Sequence, residues 1–343
     1  MVYPDKSNKT FVTYRVRCNT ILQYLILSFT NQSDYFCLKL LKNPINEFIW
    51  VILSLGIGIA CKMFNRERLR KIKLIAADLD GTLLSNNSEI SDRAKFLIKE
   101  LKKKGVLFTF ASGRLHCALT SYSDELALNI PLISLDGSLI KKNDASKVLY
   151  ESFVPPRYVK KALNYAEHFL LNIALCHADS IYYTERNSIM PQMMEKFGAS
   201  YREVSEYNGL TNNTLEITLA SDYKDNLKYV RDRMSFPYAF GLSTSYFKSH
   251  SFESIYYLEI RKKGTNKGKA LKTLLRELNI RQSETAVIGD WHNDISLFLP
   301  KVLKVTLSNS LPELKRMADI QIPKDNNTDG AAEFLQMVLN SRK

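Results

Sequence analysis

The sequence predicts an α/β fold, a doubly wound core with a parallel sheet, interrupted by an inserted α+β domain. Three observations carry this expectation. Short apolar runs at 72–78, 106–111, 131–135 and 284–289 are bounded by turn residues and alternate with helical stretches, the pattern of strands buried on both faces. Acidic and hydroxyl residues gather at the carboxyl ends of these runs, where open α/β sheets bind ligands. Residues 148–260 are too long for a connection between two core elements, so they should fold as a unit of their own.

The first run continues into Asp78-Leu79-Asp80-Gly81-Thr82. The two-residue period of a strand directs Asp78 and Asp80 to one side, and Gly81 lets the backbone turn over whatever they bind. Two carboxylates so placed can bind a divalent cation and supply a nucleophile and a proton carrier. A plain surface turn at Asp80-Gly81 is the alternative. The following helix is marked by an apolar stripe of Ala94, Leu97, Ile98 and Leu101, most simply packed on the sheet.

The second run ends at Ser112-Gly113-Arg114, where a hydroxyl and backbone amides can hold phosphate oxygens or can merely close a strand. The third leads into Asp136-Gly137. In the long insert, Val159, Leu163, Ala166 and Leu170 suggest one face of a helix, and Leu215 to Leu219 alternates like a strand. Tyr182, Tyr183, Tyr246, Tyr256 and Tyr257 are candidates to line a closure over the core, with ordinary packing as their plainer role.

Lys267 opens a helix after Gly264-Thr265-Asn266, where it can bring charge to a phosphate or an aspartate. Helix-start lysines are usually solvated, and Lys262, Lys263 and Lys269 lie close by in sequence, so charge alone does not single it out. The last run delivers Gly289-Asp290-Trp291-His292-Asn293-Asp294. Asp290 is suited to a metal, and Asp294 to holding the site or the lysine through a charge-assisted hydrogen bond.

The segments DLDGTLL at Asp78 to Leu84, ASGR at Ala111 to Arg114, TNKGKAL at Thr265 to Leu271 and GDWHND at Gly289 to Asp294 resemble, in order and spacing, the haloacid dehalogenase-like superfamily of aspartate phosphatases, and within it the Cof-type sugar-phosphatase branch. The resemblance spans residues 72–343. It implies a Rossmannoid core at 72–147 and 261–343, a mobile cap at 148–260, Mg²⁺ as cofactor, and hydrolysis of a small phosphorylated metabolite. Carried over residue by residue, it implies Asp78 as nucleophile, Asp80 as proton carrier, and Lys267 as the charge that offsets Asp78 and the phosphoryl group. Ser112, Gly113 and Asn293 would hold phosphate. Mg²⁺ would be bound by the Asp78 carboxylate, the Asp80 backbone carbonyl and Asp290, supported by Asp294 and Thr82. Arg114, Asp136 and Asn309 are candidate substrate contacts, and Asn326 also falls at a recurrent position. Two departures stand out: Asp136 replaces a common asparagine, and Leu307 a frequent methionine. An amide donates and accepts hydrogen bonds, whereas an ionised carboxylate only accepts, so the change bears on how the substrate is oriented.

Residues 1–71 differ from the rest. They carry 11 Lys or Arg against 4 Asp or Glu, hence +7 of the chain's formal +13. No stacking module, zinc-finger spacing or regular basic helix accompanies that charge, so nucleic acid is not an expected partner. Phe48 to Cys61 is uncharged and is followed by basic residues from Arg66 to Lys73. A membrane anchor over 46–64 is one reading, with Lys62 snorkelling and the catalytic part facing the cytoplasm; a buried or interfacial helix or a removed targeting segment are the others. The five cysteines lack CxxC spacing and read as reduced, hence an intracellular protein, while the five histidines form no zinc pattern. Beside the phosphatase stand two alternatives. A phosphomutase would pass the phosphoryl group to a second sugar position through a bisphosphorylated intermediate. A noncatalytic membrane-linked binding protein is disfavoured by the retained pair Asp78 and Asp80. Sequence does not fix the oligomeric state.

Overall fold

The computed structural model describes residues 66–143, 148–194, 199–249 and 254–343. Its strands are β1 (Leu74–Ala77), β2 (Leu107–Phe110), β3 (Leu132–Ser134), β4 (Leu139–Lys141), β5 (Val148–Glu151), β6 (Asn172–Cys176), β7 (Ile181–Thr184), β8 (Tyr201–Val204), β9 (Glu216–Ser221), β10 (Leu242–Lys248), β11 (Tyr256–Lys262), β12 (Thr285–Ile288), β13 (Leu303–Thr306) and β14 (Ile320–Gln321).

Five of these form a parallel sheet in the order β14-β13-β12-β1-β2. All four residues of β1 are buried, because both faces of the sheet are covered. Ile75 and Ala77 pack with Leu97, Ile98 and Leu101 of the helix Asp92–Lys103 and with Phe334 of the helix Gly330–Asn340. Leu74 and Ala76 pack on the opposite side with Leu271 and Leu274 of the helix Lys267–Glu277. The predicted stripe Ala94, Leu97, Ile98 and Leu101 is buried throughout, and the Ser91 hydroxyl caps that helix by accepting from the Ala94 amide at 3.1 Å.

The run at 131–135 behaves differently from the other three. It meets the parallel sheet through an isolated Ala111–Ile133 bridge and the Thr109 hydroxyl, which donates to the Pro131 carbonyl at 2.8 Å, and β3 instead pairs antiparallel with β4, which pairs with β5. This ladder carries the chain towards the insert. The insert is a six-stranded sheet in the order β10-β11-β9-β6-β7-β8, antiparallel except between β7 and β8. Its helices Pro156–His168 and Lys224–Arg233 share an apolar cluster with Ile217, Leu219, Leu258 and Ile260. The other face packs on core residues Leu115, Leu135 and Leu139 through Ala174, Cys176, Ala220 and Tyr257. The chain is therefore a Rossmannoid core carrying an inserted α+β cap.

Two details depart from the sequence reading. Leu170 lies beyond the helix end at φ +54° and is 78% exposed, because the chain reverses there and the Leu171 amide returns to the Ala166 carbonyl. The strand read as alternating at Leu215 to Leu219 is buried on both faces, so Glu216 and Thr218 point at the core instead of at water. Of the five tyrosines, Tyr257 and Tyr183 pack in the cluster between cap and core. Tyr246 and Tyr256 stack on each other at 5.7 Å beside the helix-side cluster, and Tyr182 donates to Asp179.

The helix that presents Lys267 is seated by Gly268, where an added Cβ would lie 1.9 Å from the Ser296 carbonyl oxygen. Gly268→Ala is thus expected to force the helix off the Asp294 loop and cost about 1–3 kcal/mol or more, read as a lowered urea midpoint. Among the described residues no helix is long and apolar enough to cross a membrane. The anchor expected over 46–64 lies outside the described residues.

Candidate active site

The chemistry-bearing residues converge at the carboxyl ends of β1, β2 and β12. Asp78 continues β1, its amide donating to the Ile288 carbonyl at 3.0 Å, and the chain then wraps through Leu79–Leu83 with Gly81 at φ +73°. A Cβ at Gly81 would lie 2.4 Å from Asp290 Oδ2, so glycine is needed both for the backbone and for the approach of Asp290. Thr82 donates to Asp290 Oδ1 at 2.6 Å, and Asn309 donates to the Gly81 carbonyl at 2.7 Å, clamping the turn from both sides.

Lys267 is fully buried, as are Asp294 and Thr82 beside it. Its ammonium donates to Asp78 Oδ1 at 2.8 Å and to Asp294 Oδ1 at 2.7 Å, with Asp136 Oδ1 at 3.9 Å. Burial opposes its charge, but Asp78, Asp294 and Asp136 outweigh burial and hold the lysine protonated above its ordinary range. Asp294 also accepts from the Asp290 and Trp291 amides at 2.9 and 3.1 Å.

Asp78, Asp290 and Asp294 each bring a carboxylate oxygen within 4.8 Å of the others. Burial pushes the Asp78 carboxyl well up, helped by the Asp294 and Asp290 charges and opposed by Lys267. Asp290 is pushed up to about 6, chiefly by burial. One buried lysine thus fails to balance three crowded carboxylates, and the hard oxygen donors suit a divalent cation such as Mg²⁺. Asp294, with both oxygens engaged by Lys267 and by two amides, is better placed to support this cluster than to ligate.

The remaining expected residues ring this centre. Ser112 is buried, and its hydroxyl accepts from the Arg114 amide at 3.1 Å. Gly113 abuts Asp136 and Asn293, and Asn293 donates to Asp136 Oδ1 at 3.0 Å. Leu135 and Asp136 adopt φ of +47° and +50°, a left-handed turn that costs energy in non-glycine residues, and the Asp136 and Leu135 amides donate to the Ser112 and Arg114 carbonyls. His116 stands apart, buried near Lys141, and burial lowers its imidazole to about 4.

The model of the haloacid dehalogenase-like hydrolase family matches residues 75–335. The chain belongs to that family. This hydrolase is also 28% identical over 283 residues to M6_Spy0533 of Streptococcus pyogenes serotype M6, covering 78% of this chain and 99% of that protein. It is 23% identical over 267 residues to the 5-amino-6-(5-phospho-D-ribitylamino)uracil phosphatase YitU of Bacillus subtilis, covering 77% and 96%. Its fold matches the crystal structure of TM0651 from Thermotoga maritima with a TM-score of 0.68 at 26% identity, covering 77% of this chain and 97% of that one. The aspartate cluster and these relatives make the hydrolase a phosphatase of the Cof-like branch with a divalent-metal site.

Two connections in the hydrolase escaped the sequence reading. Arg114 clasps Asp80 with Nε to Oδ2 at 2.8 Å and Nη2 to Oδ1 at 2.6 Å. Arg261 of β11 donates to Asp136 Oδ2 at 2.8 Å, to Glu259 at 2.9 Å and to Glu216. The available signal was the alternation Glu259-Ile260-Arg261 just ahead of the lysine motif, which looks like an ordinary solvent-facing edge.

Glu259 is pushed up to about 8, first by burial, then by Glu216 and Asp136, against the pull of Arg261. The folded protein therefore binds this proton more tightly than the unfolded chain, whose carboxyl has the ordinary value of 4.5. Stability from this group is full below that value and is lost as pH rises through about 8. In EDTA, the urea midpoint is expected to fall between pH of about 6.5 and about 8.5, and Glu259→Gln is expected to flatten that decline.

Proposed function

We propose that this phosphatase hydrolyses small phosphate monoesters, sugar phosphates foremost, through an aspartyl-phosphate on Asp78. The observation that carries the reading is the buried Asp78–Lys267–Asp294 chain beside Asp290, with Asp80 two residues beyond the nucleophile. Lys267 engages Asp78 Oδ1, which leaves Oδ2 to attack phosphorus as the bond to the leaving oxygen breaks. Asp80 gives its proton to that oxygen. It then takes a proton from water as water attacks phosphorus and the Asp78–phosphorus bond breaks, which restores both carboxyl groups.

In the observed geometry Arg114 occupies both Asp80 oxygens, so proton delivery requires Asp80 to exchange that partner for the substrate. Ser112 and the Gly113 and Asn293 region are assigned to the non-bridging phosphate oxygens. Mg²⁺ would be held by Asp78, the Asp80 carbonyl and Asp290, and when bound would offset charge on the phosphoryl oxygens. The cap, seated on Leu115, Leu135 and Leu139, restricts access to small esters and limits bulk water. YitU, whose name specifies a phosphorylated ribitylamino group, fits this class of ester.

The test is phosphate release by the full-length chain across sugar phosphates, nucleotides and pyridoxal phosphate, with Mg²⁺ or with EDTA. Turnover of small esters that EDTA abolishes is expected. A folded, Mg²⁺-binding protein inert on all of them would overturn the reading.

A further inference from the structure

The ion pair between Asp136 and Arg261 joins core to cap directly above the catalytic lysine. Arg261 does not stand alone: its Nη1 donates to Asp136 Oδ2 at 2.8 Å, its Nη2 to Glu259 Oε2 at 2.9 Å, and its Nε to Glu216. Strand alternation puts Glu259 and Arg261 on the same face of β11, the face that carries Tyr257 against the core. Asp136 extends the network downward to Asn293 at 3.0 Å and towards Lys267 at 3.9 Å. The side chains of Arg261, Glu259 and Asp136 retain 16%, 16% and 20% exposure, whereas Lys267 is at 0%, and Asp136 ties the network to Gly113 and Asn293 of the candidate phosphate site.

We propose that Arg261, Glu216, Glu259 and Asp136 form the leaving-group subsite, which selects phosphate monoesters whose alcohol portion is uncharged or bears an amine and rejects those bearing a second phosphate or a carboxylate. This inference rests on the phosphatase reading above. Three carboxylates face the Arg261 guanidinium, and the one further cation in reach, Lys267 at 3.9 Å from Asp136, is already bonded to Asp78 and Asp294, so the network carries an excess of negative charge when all are ionised. Their neighbours across the cap sheet are Ser243, Ser245, Thr218 and Cys176, none of them cationic. Both edges of the guanidinium are committed to carboxylates. Drawing it onto a second anion would leave a buried carboxylate unpaired, and the approaching anion would meet like charge. Hydroxyl and ammonium groups do the opposite: they donate to carboxylate oxygens, and an ammonium cancels the excess. The raised Glu259 carboxyl reports the same imbalance, since a proton retained there relieves it. The departure from asparagine at position 136 gains a role as well, because an amide there would remove one of the charges that hold Arg261. A bisphosphorylated intermediate is disfavoured by the same charge, which separates this site from a phosphomutase.

The experiment uses the full-length protein with Mg²⁺ and compares kcat/KM for glucose, glucosamine and gluconate, each phosphorylated at the terminal hydroxyl, with fructose bisphosphate and p-nitrophenyl phosphate. The uncharged and amine-bearing esters should exceed the carboxylate-bearing and bisphosphorylated ones by about tenfold or more. Assayed above a pH of about 8, where Glu259 is ionised, Glu259→Gln and Glu216→Gln, checked for folding by thermal melting, should each shrink the glucosamine-to-gluconate ratio about threefold or more. The wild-type ranking stands without either variant. Equal or better turnover of the acidic esters, or turnover of p-nitrophenyl phosphate alone, overturns the inference and leaves the phosphatase reading intact. No metal-dependent release from any ester overturns both.

Discussion

Asp78→Asn is expected to lower phosphate release by about 10⁴-fold or more while leaving the fold intact. The amide keeps the shape of the carboxylate and its oxygen can still accept from Lys267, but its nitrogen cannot replace the oxygen proposed to attack phosphorus. Stability should move the other way. Asp78 is pushed up by burial and by Asp294 and Asp290, so a neutral amide relieves crowding among carboxylates that Lys267 only partly balances. The metal-free variant is therefore expected to match or exceed wild type in urea midpoint, and Mg²⁺ should stabilise the variant less than the wild type. Phosphate release from the variant within tenfold of wild type would remove Asp78 from the chemistry. A large loss of stability would instead make its role structural.

The residues of the candidate centre were legible in the sequence because its parts are short and local. A strand, a glycine turn and a carboxylate are written in consecutive residues, and Asp78, Gly81, Asp290 and Asp294 stand at the ends of apolar runs whose burial the composition already implies. Lys267 was ambiguous among Lys262, Lys263 and Lys269 until the helix Lys267–Glu277 was seated on the Asp294 loop, because only tertiary contact distinguishes a buried lysine from a solvated one. The run at 131–135 had the apolar character of a core strand, yet its partner was decided by β4, a neighbour that periodicity does not name. Glu216, Glu259 and Arg261 were invisible for a related reason. Alternation tells which residues share a face, but it assigns polar faces to water by default, and here that face meets the core.

Lys267→Met tests the same centre from its positive side. A methionine fills similar volume without the ammonium, leaving Asp78 and Asp294 buried and close together with no cation between them. Removing one partner of a buried pair typically costs about 3–5 kcal/mol, and phosphoryl transfer loses a fixed positive charge, a drop in kcat/KM of about 10²-fold or more. The two losses have different signatures. Asp78, already raised by burial and by Asp294, loses the cation that opposed this shift, so in the folded variant it holds a proton to higher pH. Stability from such a group is full below its unfolded value and lost as pH rises, so the deficit relative to wild type should be small near pH of about 5 and large near about 8. Adding Asp294→Asn to the variant should recover part of the stability by removing one uncompensated charge, yet recover none of the activity. Recovery of both would mean that Lys267 only holds the loop in place; recovery of stability alone places its charge in the reaction.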